Sequence, residues 1–148
     1  VESHGVRDDD FVLWKDELRF VQATDIQYPA EEPVPLVTFG SKCFYGRVAS
    51  TLLDAAGLAY EEVLQSASIA GVRAAVSAGV GVALMNRGFM IGDQCTWPGA
   101  VAVATPPDIH YVLRAAEAPL TDAQETLVAE LRGSEIGVKN TAASLDTC

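Results

Sequence analysis

The stretch from Val34 to Asn86 alternates short apolar runs with helical periodicity and leaves almost no residues for loops. Leu36-Val37-Thr38-Phe39 is an apolar run ending at Gly40, as a buried strand would be. From Tyr45 the period changes. Tyr45, Val48, Ala49, Leu52, Leu53 and Ala56 fall on one face of a helix, and Gly57 follows where a left-handed residue commonly ends one. Tyr60 to Gln65 reads as a strand. Ser68 reads as the N-cap of a second helix whose inner face is Ile69, Val72, Ala75 and Val76, closed by Gly79. Val80 to Met85 is a continuous apolar run, as expected of a parallel strand covered on both faces. Strand, helix, strand, helix, strand with short joints is a βαβαβ unit, so the fold class is α/β and Rossmann-like.

In such sheets ligands bind beyond the carboxyl ends of the strands. Here those ends lead into Gly40 to Tyr45 and Gln65 to Ser68, and both loops enter helix N-termini. Free N–H groups and the helix dipole favour an anion there. The hydroxyls of Ser41, Ser66 and Ser68 add hydrogen bonds. This chemistry binds a small carboxylate and does not convert it.

The pieces PLVTF, CFYGRVASTLLDAAGLAYEEV and SASIAGVRAAVSAGVGVAL, in this order and spacing, resemble the second lobe of the effector-binding domain of LysR-type transcriptional regulators. The likeness runs over about residues 11 to 132. It implies a type II periplasmic-binding-protein-like fold, with residues 1–17 as the end of a first lobe and crossover, and 18–107 as the second lobe. Residues 108–133 would be the return strand and terminal helix, which belong with the first lobe, and 134–148 a flexible tail. Trp14 to Thr24 would be the first crossover strand. The family's helix-turn-helix, linker helix and first βαβ unit are not in this sequence. The resemblance places the loop from Ser41 to Tyr45 on the inter-lobe cleft, with Cys43, Phe44 and Tyr45 closest to an effector.

Net charge is −10 and the ten Lys and Arg are scattered, so this stretch is a poor DNA binder by itself. Any anion site must act locally, within a Debye length of ~8 Å. No apolar run approaches the ~20 residues of a membrane helix. Cys43, Cys95 and Cys148 are odd in number and widely spaced, which points to free thiols in a reducing cytoplasm. A metal site would need Cys43, Cys95, His4 and His110 to converge from four remote positions. No cofactor or metal is expected. Cys43 at a helix start also has the setting of a redox sensor, although no second cysteine is near in sequence.

Elsewhere the signal is weaker. Val1 to Asp10 reads as a solvated loop, and Asp25 to Pro35 as a turn made rigid by three prolines. Arg87 to Pro98 reads as a helical turn and loop, Ala100 to Ala104 (AVAVA) as a strand, and Ile109 to Ala115 as another. Thr121 and Gln124 form a capping-box pattern opening a helix with Leu127, Val128 and Leu131 inside, ended by Gly133.

Among catalytic motifs, GxSxG, HExxH and the Walker A loop are all missing, and Gly79-x-Gly81 lies before a strand rather than after one. The reading is therefore a non-enzymatic sensing domain. The resemblance implies that a small effector, binding Ser41, Cys43, Phe44, Tyr45, Ser66 and Ser68, shifts a two-state balance relayed to a separate DNA-binding helix-turn-helix. It also implies homo-oligomers. A type II periplasmic solute-binding protein and a small α/β enzyme are the alternatives.

Overall fold

The computed structural model describes residues 6–8, 10–114 and 119–133. The tail expected over 134–148, with Cys148 and His4, lies outside the described residues. The elements run β1 (Phe11–Asp16), β2 (Leu18–Ala23), β3 (Val34–Thr38), α1 (Phe44–Ala55), β4 (Tyr60–Gln65), α2 (Ile69–Ser77), β5 (Ala83–Asn86), β6 (Gln94–Thr96), β7 (Ile109–Leu113) and α3 (Asp122–Gly133). Single 3-10 turns cover Arg87–Phe89 and Pro98–Ala102.

The βαβαβ unit is present. β3 and β4 pair in parallel, from Val34 opposite Tyr60 to Thr38 opposite Gln65. Val82, just before β5, forms a parallel bridge with Leu36. There the Val37 N–H donates to the Val82 carbonyl at 2.8 Å and the Val82 N–H to the Pro35 carbonyl at 2.7 Å. β2 then pairs antiparallel with β5 on one side and with β6 on the other. The strand sequence across this layer is β4-β3-β5-β2-β6, while β1 and β7 form a separate antiparallel ladder.

The layer is apolar on both faces because a strand points successive side chains to opposite sides. Phe20, Leu36, Val82 and Leu84 face one way and pack with Ala49 and Leu53 of α1. Val21, Val37, Ala83 and Met85 face the other way and pack with Val72, Ala75 and Val76 of α2. The helical stripes read from sequence close this core except at Ala56 and Ile69, which are half-buried and lie outside it. Gly57 and Gly79 both take positive φ just past α1 and α2, as their positions predicted.

Four expectations need correction. Trp14 to Thr24 is not one strand. The chain breaks at Glu17 into β1 and β2, which join different sheets. The AVAVA run forms no strand: its first three residues lie in the 3-10 turn Pro98–Ala102, with Val101 94 % exposed. Pro98 lacks an N–H and has a fixed φ suited to a first helical turn. The indole of Trp97 also lies where a Cβ on Gly99 would be, which holds the turn tight. The sheet edge next to β2 goes instead to Gln94–Thr96, three residues too short to show a period. In α3, Val128 is buried but Leu127 is 49 % exposed, so the inner stripe is narrower than expected. Finally, Cys43 is a free thiol, whereas Cys95 is fully buried and disulfide-bonded, so the thiols are not all free.

Gly81 lies where two backbones approach closely. A Cβ there would stand 2.4 Å from the Pro35 carbonyl oxygen and 3.0 Å from its carbon, and backbone cannot move aside cheaply. Gly81→Ala is expected to lower unfolding free energy by about 2 kcal/mol in urea titration. Gly92→Ala, where a Cβ meets nothing within 4 Å, should change it by less than about 0.5 kcal/mol.

Candidate functional site

The parallel strands β3 and β4 end side by side. The Ser66 N–H donates to the Thr38 carbonyl at 2.9 Å, so the loops leaving both strands start as neighbours. Thr38 shapes the first loop. Its hydroxyl accepts from the Gly40 N–H at 2.9 Å and donates to the Glu62 carboxylate at 2.6 Å. Gly40 has φ +102° and the Gln65 amide fills the space where its Cβ would lie, so only glycine fits this corner.

Beyond it the loop tightens into α1. The Cys43 N–H donates to the Gly40 carbonyl at 2.9 Å, and the Arg47 guanidinium reaches back to the Lys42 carbonyl at 2.7 Å. Cys43 is the N-cap residue but its side chain makes no cap hydrogen bond, and the first turn of α1 holds no acid. The N–H groups of Phe44, Tyr45 and Gly46 thus have no acceptor in the helix behind them. Exposed Lys42 and Arg47 stand beside them. The Glu62 carboxylate stands at the Thr38 end of the same loop.

The other helix starts are closed. The Ser68 hydroxyl accepts from the Gly71 N–H at 3.1 Å, and the Ser66 hydroxyl accepts from the Ser68 N–H at 3.4 Å. Thr121 and Gln124 make the reciprocal bonds of a capping box on α3. Ser66 and Ser68 are therefore engaged in capping α2, while Ser41 is exposed at the mouth of the first loop. Cys43 and Tyr45 are half-buried and Phe44 is 42 % exposed. Tyr45 packs against Phe39 at 5.1 Å and Phe44 at 5.7 Å between ring centroids.

Tyr45 also leads to residues that the sequence reading did not select. Its hydroxyl donates to Oδ1 of Asn86 at 2.7 Å. Nδ2 of Asn86 donates to the Asp16 carboxylate at 3.2 Å and to the Tyr111 hydroxyl at 3.1 Å. Asn86 has no exposed surface and Asp16 is 8 % exposed. Tyr111 stacks on Trp14 with centroids 4.7 Å apart. The start of α1, the end of β5 and the β1–β7 ladder thus meet at one side-chain amide. A signal was available at Asn86, a polar residue that closes the apolar run from Val80 to Met85. Nothing local, however, said it would meet Asp16.

Burial pushes the Tyr45 phenol up to about 12, with Tyr111, Cys43 and Asp16 adding to the effect. Tyr111 and Tyr28 are raised from 10.0 for the same first reason. All three stay protonated at neutral pH.

His110 is exposed on β7 opposite Lys15. Among the described residues no three His, Cys, Asp or Glu are grouped to hold a metal ion. Among them, too, no helix is long and apolar enough to cross a membrane. A cavity of about 190 Å³ between Arg19, Phe20, Thr96, Val103 and Pro106 includes none of the loop residues above.

A family model described as the LysR substrate binding domain matches residues 9–134. No curated protein matches. Among solved structures, the regulatory domain of HypT from Salmonella typhimurium in its apo form superposes with a TM-score of 0.68 at 22 % identity, over 88 % of this chain and 66 % of that one. Full-length HypT, a hypochlorite-specific LysR-type transcriptional regulator, gives 0.64 at 22 %, over 84 % and 45 %. DarR from Vibrio fischeri, solved in complex with DNA, gives 0.66 at 19 %, over 83 % and 44 %. The fold is shared, and this chain spans less than half the length of the full-length regulators it matches.

Tyr45 ties part of the stability to pH. Its folded value lies above its unfolded one, so its contribution is complete below about pH 10 and fades as pH rises from about 10 to about 12. Tyr45→Phe is expected to cost about 1–3 kcal/mol at pH 7, because it strands the buried Oδ1 of Asn86. It should also flatten the alkaline decline of Tm between pH 10 and 12, as read by calorimetry.

Proposed function

The chain belongs to the LysR substrate binding domain family, and we propose that it is the effector-sensing part of a LysR-type transcriptional regulator. The family comprises effector-binding domains of regulators and is not an enzyme family. The solute-binding alternative is not favoured, because the family model and the solved structures alike are those of regulators.

In this reading residues 18–107 are the second lobe. β1, β7 and α3 are the strands and helix that lead to the first. A small effector sits between the lobes, with a carboxylate or similar group at the open start of α1. Ser41, Cys43, Phe44 and Tyr45 line that side, with Ser66 and Ser68 at its edge. The effector favours one lobe arrangement by its differential affinity for the two. DNA is bound by a separate helix-turn-helix, in a cytoplasmic homo-oligomer. No metal, cofactor or turnover is involved.

The observation that carries this reading is the unclosed N-terminus of α1 at the carboxyl end of β3, next to the capped start of α2. Amide NMR of the chain, titrated with acetate, formate and pyruvate, tests it. The Phe44, Tyr45 and Gly46 amides should shift saturably, and Lys42→Ala should weaken binding by about two- to fivefold, as expected for one exposed charge. Unmoved amides in that turn, with every carboxylate, would remove the effector site from this loop.

A further inference from the structure

Asp16 fixes which way the Asn86 amide points. A carboxylate only accepts hydrogen bonds, so the group facing Asp16 must be Nδ2. Oδ1 is then left facing the Tyr45 hydroxyl, which has to donate to it. Tyr111, on the Nδ2 side, has to accept. The two tyrosines are thereby polarised in opposite senses. Tyr45 has spent its proton and keeps acceptor lone pairs. Tyr111 has spent a lone pair, and its own proton meets no acceptor among the described residues.

Both rings are half-buried, both hydroxyls lie within hydrogen-bond reach of one buried amide, and both phenols stay protonated at neutral pH. Trp14 stacks on Tyr111, and Phe44 packs edge-on against Tyr45.

We infer that Tyr111 and Tyr45 form a donor–acceptor pair that recognises an uncharged group with an adjacent acceptor and donor, of which a carboxamide is the simplest. This deepens the proposed effector site and rests on that reading. It gives the site a second recognition point, contributed by the β1–β7 ladder rather than by the lobe. A second carboxylate is disfavoured at this point. It would set acceptor against the Tyr45 oxygen, with the Asp16 charge one amide behind. A cationic donor group would face the Tyr111 proton. Asp16 and Asn86 act as positioning residues, since they set the polarity without touching the ligand.

Acetamide, acetate and acetamidinium are nearly isosteric and differ mainly in hydrogen-bond pattern and charge, so they test this directly. With tyrosine Cζ labelled, acetamide should move the Tyr45 and Tyr111 signals and bind about five- to tenfold tighter at this pair than either ion, as one matched hydrogen bond gives. Tyr111→Phe should abolish that preference while acetate still moves the Phe44 to Gly46 amides. Silence of both tyrosines with acetamide, or tighter binding of either ion at them, overturns the inference. If acetate moves the α1 amides in that case, the effector reading survives. If it does not, that reading falls as well.

Discussion

The hydrogen bonds of the Asn86 amide tie the β1–β7 ladder to the parallel layer, alongside the packing of Ile109 against the layer's core. β5 belongs to the parallel layer, and β1 and β7 form a ladder of their own. The amide at the end of β5 bonds to a side chain from each strand of that ladder and to the first turn of α1. With no exposed surface on Asn86, these bonds replace water entirely. Losing one partner would strand a buried polar group, at about 1–3 kcal/mol. The placement of Tyr45 in the candidate site follows from this junction.

The same junction links fold to proposed function. An effector at the start of α1 touches the helix that carries Tyr45. Tyr45 is one bond from Asn86, and Asn86 is one bond from each of Asp16 and Tyr111. In the proposed reading a change in lobe arrangement would pass through β1 and β7, and Asn86 bonds to a side chain of each. The apolar faces under α1 and α2 supply rigidity on either side, and close approach at Gly81 keeps β3 and β5 in register.

The regular parts of the fold were legible because their periods are. Val48, Ala49, Leu52 and Leu53 mark α1, Ser68 marks the start of α2, and Tyr60 to Gln65 is the observed β4. β6 was not legible. Three residues show no period, and the strand exists because β2 offers it an edge. AVAVA had the right alternation but Pro98 and Gly99 before it, and the local turn prevailed over the pattern. The loop from Ser41 to Tyr45 was visible as chemistry at a strand end. Asp16, Asn86 and Tyr111 were not, since their roles arise from contacts 70 and 25 residues apart in sequence.

A double-mutant cycle on the Asp16–Asn86 pair tests this junction most directly. Asp16→Asn, Asn86→Asp and the exchanged double variant would be compared in urea unfolding at pH 7. Asp16→Asn leaves two amides facing each other and Asn86→Asp leaves two carboxylates, whereas the double variant restores one of each. A coupling of at least about 1 kcal/mol in favour of the double variant is expected for groups in one buried hydrogen-bond network. Effects that simply add, within about 0.5 kcal/mol, would mean that the two side chains do not depend on each other. The junction would then not be what holds the ladder to the lobe.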